Sequence, residues 1–199
     1  MITQLPGFLD PVHAAQQTFR ALLNALAQPG QRQTTALLTP PPGLVPSCAA
    51  ACLTLLDLET TVWLQPGLSE AVRAWLLFHT GCRFTDHSLA ADFALIGDVA
   101  TAPALQDFSW GTPEYPEAST TLLIQLATLT GGSPLTLQGP GISETVTVSA
   151  ALPARFWQQW SLMTANYPLG LDCWCFADTQ VLGLPRTAQI VQTSQEQPL

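Results

Sequence analysis

Thr120-Thr121-Leu122-Leu123-Ile124-Gln125-Leu126-Ala127-Thr128-Leu129 is a ten-residue apolar run, closed by Gly131-Gly132. It is too short for a membrane span and shows no alternation of polar and apolar positions. A run of this kind reads as a central strand buried on both faces. A strand buried on both faces needs a layer on each, and the flanking sequence supplies helices. Asp10-Pro11 is an N-cap followed by a first-turn proline. Val12, Ala15, Phe19, Leu22, Leu23 and Leu26 then recur at helical spacing until Pro29-Gly30 stops the helix. A second helix is expected from Ser47 to about Leu56, after the prolines at 40–42 and 46. Ser69 is expected to cap a third that ends at Gly81, and residues 153–166 form a fourth with Phe156, Trp157 and Trp160. Residues 103–108 read as a short helix.

Strands are expected at 61–64 and 93–96, and in a hairpin of 172–176 with 181–184 turning at Asp178-Thr179. The central run is expected to turn at Gly131-Gly132 into residues 135–138, with 145–148 extending that hairpin. The expected fold class is therefore mixed α/β: a largely antiparallel or mixed sheet with flanking helices. Residues 1–192 read as one domain, and 193–199 as a polar C-terminal tail.

Composition limits the chemistry. The chain has 199 residues, 47% hydrophobic and only 10% charged, with mean hydropathy +0.25. So few charges suggest that a partner covers part of the surface. A net charge of −8 argues against nucleic acid and against anionic membranes as partners. No run reaches membrane-span length and residues 1–10 lack the marks of a signal peptide, so a cytoplasmic location is expected.

All six basic residues are arginine. Without lysine there is no Schiff base to pyridoxal phosphate, so no such cofactor is expected. Anion contacts fall to Arg, His, hydroxyls or backbone N–H groups. Cys48, Cys52, Cys82, Cys173 and Cys175 are odd in number and lack paired metal-ligand spacing. Buried free thiols are therefore expected in preference to a four-thiol zinc site.

Arg20 lies at the edge of the first helix's apolar face, either as a surface residue or as a fork for an anion or a partner carboxylate. Arg186, between Pro185 and Thr187, reads first as a structural ion pair with Asp172 or another carboxylate and second as an anion contact. His79 sits in the last turn of its helix, where capping competes with acid–base work. No nucleotide-binding glycine motif, hydrolase elbow or zinc-protease motif occurs, and Gly139-Pro140-Gly141 reads as a turn.

Several blocks recur in order along the chain: Phe19-Arg20 through Pro29-Gly30, Trp63-Leu64, Phe78-His79-Thr80, Pro116-Glu117-Ala118 and Leu122-Leu123-Ile124-Gln125. Gly131-Gly132, residues 137–141, Tyr167-Pro168-Leu169-Gly170-Leu171-Asp172 and Pro185-Arg186-Thr187 follow. With them the sequence resembles the PhnH family, one of the components of the bacterial carbon–phosphorus (C–P) lyase core complex. That resemblance implies a fold like the pyridoxal-phosphate-dependent transferases but without the cofactor. It implies the other core proteins PhnG, PhnI and PhnJ as partners, and a homodimer when isolated. It also implies a step that couples a phosphonate to ATP at the ribose C1 and displaces adenine. PhnI is the expected catalyst, with PhnG and PhnH required, and the iron–sulfur protein PhnJ cuts the C–P bond later. The alternative is an assembly adaptor that touches no substrate. Arg20, Gly30, His79, Gly170, Asp172, Arg186 and Thr187 are the candidate ligand- or partner-binding positions.

Overall fold

A computed structural model describes residues 6–191. Its centre is a seven-stranded mixed sheet. The strands are β1 (Arg32–Thr34), β2 (Thr61–Leu64), β3 (Arg83–Thr85), β4 (Phe93–Ile96), β5 (Thr121–Gln125), β8 (Asp172–Ala177) and β9 (Gln180–Leu184). Their order is β1-β9-β8-β5-β4-β2-β3. β3, β2, β4, β5 and β8 run parallel, while β9 and β1 are antiparallel additions. A second sheet holds β6 (Leu135–Gln138) between β7 (Val146–Val148) and β10 (Gln189–Ile190).

The apolar run is the central strand, buried on both faces. Leu122 and Ile124 enter one core with α4 (Ala154–Thr164) and the small sheet. Leu123 enters the other, under α1 (Pro11–Ala27), α2 (Pro46–Leu55) and α3 (Glu70–Thr80). β8 alternates in the same way, with Cys173 and Cys175 on one side and Trp174 and Phe176 on the other. Trp160 is fully buried, stacks on Phe156, and donates its indole N–H to the Ala188 carbonyl at 2.8 Å.

Three expectations are corrected. The strand ends at Gln125 and does not turn into 135–138. Parallel β4 and β8 occupy both of its edges, so β6 must pair elsewhere, in the small sheet. The helix expected at 103–108 is a single 3-10 turn, Leu105–Asp107. On α1, the buried residues are Thr18, Ala21, Leu22 and Ala25, whereas Val12, Phe19 and Leu23 are exposed.

The outward turn of Val12, Phe19 and Leu23, while the expected Leu22 stays buried and Leu26 packs on the core, has a steric cause. α1 lies directly on β9 at Gly183, where a methyl would fall within 2.6 Å of the Leu26 nitrogen and inside the Ala25 carbonyl. Small side chains at the contact permit that approach, so Ala21 and Ala25 turn inward beside the buried Leu22, while Val12, Phe19 and Leu23 turn out. The caps agree better: the Asp10 carboxylate accepts from the His13 amide at 3.2 Å, and Gly81 closes α3 with φ +69°. Ser69 does not cap α3 with its side chain; its hydroxyl donates to the Pro42 carbonyl instead. The tail at 193–199 lies outside the described residues.

Candidate functional site

The two late sequence blocks do meet. Arg186 follows β9 and Asp172 opens β8, so hairpin pairing brings them together at the amino end of the parallel strands. The Arg186 backbone N–H donates to one Asp172 oxygen at 2.8 Å, and Nε and Nη2 donate to the other at 3.1 and 2.7 Å. Nη1 donates to the carbonyls of Pro116 at 2.8 Å and Pro168 at 3.3 Å, and Nη2 to the Ser119 hydroxyl at 2.6 Å. All five guanidinium N–H groups are thereby engaged. Gly170, at φ +144°, packs against Arg186 and Met163. Gly139 lies against the Thr187 carbonyl. Arg186, Asp172 and Gly170 thus form a structural knot in which Arg186 has no donor left for a ligand, and Thr187 leads out of it past Gly139. The ion pair read from the sequence is the observed arrangement.

The other candidates lie apart from this knot. His79 ends α3 and packs against Trp75, with ring centroids 4.8 Å apart, and against Gly7. Arg20 is exposed in the middle of α1. Gly30, at φ +88°, lies against Val146 of the small sheet, where a methyl would come within 2.6 Å of that side chain. Gly30 also lines a pocket, which it shares with Arg32.

Sequence reading missed a large concavity. Winding of the parallel strands reverses between β2 and β4: the chain passes from β2 to β3 on one side and then to β4 on the other. Ligands in open α/β sheets characteristically bind outside the strand carboxyl ends at such a reversal. Two adjoining open crevices of about 380 and 510 Å³ lie at the carboxyl ends of β4 and β5, one strand over from this reversal, sharing Gly97, Gln125, Leu126 and Ala127. Gln125 lines both crevices, and Gln65 holds the Gly97-Asp98 turn that borders them. Gln65 accepts from the Gly97 and Asp98 amides at 2.9 and 2.8 Å and donates to the Asp98 carbonyl at 2.9 Å. Gln125 accepts from the Val45 amide at 2.7 Å and donates to the Gly43 carbonyl at 3.0 Å. The larger crevice is lined in part by Asp98, and neither crevice has a basic side chain in its lining. A single uncharged glutamine after a strand carries no motif, and only the strand order gives it meaning.

The five thiols are buried. Cys48 and Cys52 lie in the core under the first three helices, and Cys173 and Cys175 lie across the sheet, so the four do not converge. Among the described residues no group of three or more His, Cys, Asp or Glu could hold a metal. Burial raises the Cys48, Cys82 and Cys173 thiols above their ordinary 9.0 and pushes Cys175 up to about 12. Above 9.0 the unfolded chain sheds this proton while folded Cys175 keeps it to about 12. Stability is therefore full below 9.0 and falls as pH rises across that window, by up to about 1.4 kcal/mol per pH unit per fully buried thiol. Urea unfolding midpoints on either side of 9.0 check the sign. Thiol reagents near neutral pH should label none of the five until the chain is unfolded.

No helix among the described residues is long and apolar enough to cross a membrane. Comparison with known proteins places this architecture. The chain is 40% identical over 188 residues to the alpha-D-ribose 1-methylphosphonate 5-triphosphate synthase subunit PhnH of Rhizobium meliloti (strain 1021), covering 92% of this chain and 94% of that one. It is 35% identical over 81 residues to the putative C-P lyase subunit protein HtxG of Stutzerimonas stutzeri, covering 40% and 42%. The family model for bacterial phosphonate metabolism protein (PhnH) matches residues 6–191, the whole of the folded unit described above, and the chain belongs to that family.

Proposed function

We propose that this chain is the PhnH component of an alpha-D-ribose 1-methylphosphonate 5-triphosphate synthase, the complex that couples a phosphonate to ATP and displaces adenine. The observation that carries the reading is the 40% identity to the Rhizobium protein over nearly the full length of both chains. In this proposal it works in the cytoplasm with PhnG, PhnI and PhnJ, pairs with itself when isolated, and supplies structure rather than the reacting groups. The crevice at the strand ends offers no cation to a triphosphate. Arg83, Arg155 and Arg186 donate hydrogen bonds within the chain, and Arg73 lies over the Phe84 ring. The mixed sheet would be a frame of the pyridoxal-phosphate-transferase kind that works without that cofactor, a reading supported by the absence of lysine.

A pure adaptor role is the second reading, favoured by the exposed row of Val12, Phe19 and Leu23 on α1. One reconstitution separates the two. Adenine release from ATP and methylphosphonate is measured with purified partner proteins, with and without this chain. The synthase reading expects release to require it; unaffected release would overturn that reading. Alanine at Arg20 or His79 that leaves the complex assembled but lowers turnover favours substrate contact, whereas unchanged turnover favours the adaptor.

A further inference from the structure

Two sheet edges that are unpaired among the described residues meet beside Gly30. β1 is the outer strand of the large sheet and β7 an outer strand of the small one. Between them lies a pocket of about 160 Å³ lined by Gly30, Arg32, Thr130, Thr147 and Ser149, floored by apolar side chains such as Leu182. Its walls are fixed. The Gly132 amide donates to the Ser149 carbonyl at 2.7 Å, the Thr128 and Thr130 hydroxyls pair at 3.1 Å, and Gly30 lies against Val146.

Arg32 and Thr147 are exposed and Ser149 is half-buried, and apart from the Thr130 hydroxyl the side-chain donors of this pocket have no partner among the described residues. The Arg32 guanidinium makes no hydrogen bond or ion pair among the described residues, in contrast to Arg83, Arg155 and Arg186. The Thr147 and Ser149 hydroxyls likewise have no partner among them. A free arginine fork beside unpaired hydroxyls in a concave site is an anion receptor in chemistry. The donors outnumber what the two oxygens of a carboxylate use well, and suit a group with three terminal oxygens. The volume falls below the roughly 300 Å³ at which pockets for whole small molecules begin. It fits one charged head group and not a nucleotide.

We infer that this seam is a binding site for a single tetrahedral oxyanion group, phosphate or phosphonate, held by the Arg32 fork and the Thr147 and Ser149 hydroxyls. The site is independent of the crevice at the strand ends and of the proposed role in the complex, because it is complete within this chain. It also gives Gly30 a purpose: a side chain there would strain the backbone and collide with Val146.

Calorimetric titration of the full chain with inorganic phosphate, methylphosphonate and acetate tests this, with circular dichroism verifying the fold of each variant. Phosphate or methylphosphonate should bind, and acetate should bind at least about tenfold more weakly. Equal binding of the first two means that their common three-oxygen face is read; binding of one alone identifies the source. Arg32→Ala should cost at least about tenfold in affinity, and Thr147→Val with Ser149→Ala a smaller loss. Arg73→Ala removes the same charge elsewhere and should leave binding unchanged. No binding by the unmodified chain, equal losses in the Arg32 and Arg73 variants, or acetate binding as well as phosphate would each overturn the inference.

Discussion

Replacing Arg186 with methionine should lower stability by about 3 kcal/mol, or a melting temperature about 6–12 °C below that of the unmodified chain. The fully buried case of one lost ion-pair partner runs to about 5 kcal/mol. A lower figure applies here because the Asp172 side chain is 28% exposed and the Arg186 side chain 13%, so water can partly replace the guanidinium. What remains after the change is an Asp172 carboxylate with one backbone donor, a buried Ser119 hydroxyl and the Pro116 carbonyl, all without their shared partner. Lysine should not rescue it, since one ammonium cannot reach the carboxylate, both carbonyls and the hydroxyl from one planar fork. Adding Asp172→Asn to Arg186→Met should recover part of the loss. Denaturant melts of the two single variants and the double variant give the coupling. A single-variant loss under about 0.5 kcal/mol would show that the knot contributes no more than an ordinary surface pair.

The second large effect is expected at Gly183. Valine there should destabilise by about 3 kcal/mol, at the upper end of ordinary overpacking, because the obstruction is main chain on a long helix and cannot rotate away. Alanine should already cost much of this, since its methyl meets the Ala25 carbonyl and the Leu26 nitrogen. The glycine is not needed for its dihedral freedom, as it is absent from the positive-φ positions; it is needed for room. The cost should appear as a lower urea midpoint with an unchanged slope. A midpoint shift near zero would mean that α1 does not rest on β9 as described. Because α1 also carries the exposed Val12, Phe19 and Leu23, displacing it should weaken whatever covers that face, and co-purification with partner proteins would report this.

Much of the fold is legible in the sequence. The doubly buried run, Pro11 with Asp10, Gly81 after α3 and the hairpin around Asp178 each rest on local chemistry, and local chemistry is what a sequence displays. The blocks near 170 and 186 belong together in the sequence reading, and the ion pair joins them. Arg32 carries no sequence signal because its meaning lies in two sheet edges far apart along the chain. Gln65 and Gln125 carry none because an uncharged amide acquires a role only when a particular loop lies within 3 Å of it.

The sequence by itself determined that the central strand is sandwiched, that lysine chemistry is absent, and that few charges coat the surface, because each follows from composition or from the pattern of one segment. Only the tertiary structure decided which edges of β5 are occupied, which face of α1 is inside and which arginines are left free. Those outcomes depend on competition between distant segments. Parallel neighbours displace the hairpin at β5, Gly183 draws the small face of α1 inward, and carbonyls more than fifteen residues away engage Arg186 while Arg32 keeps its donors open.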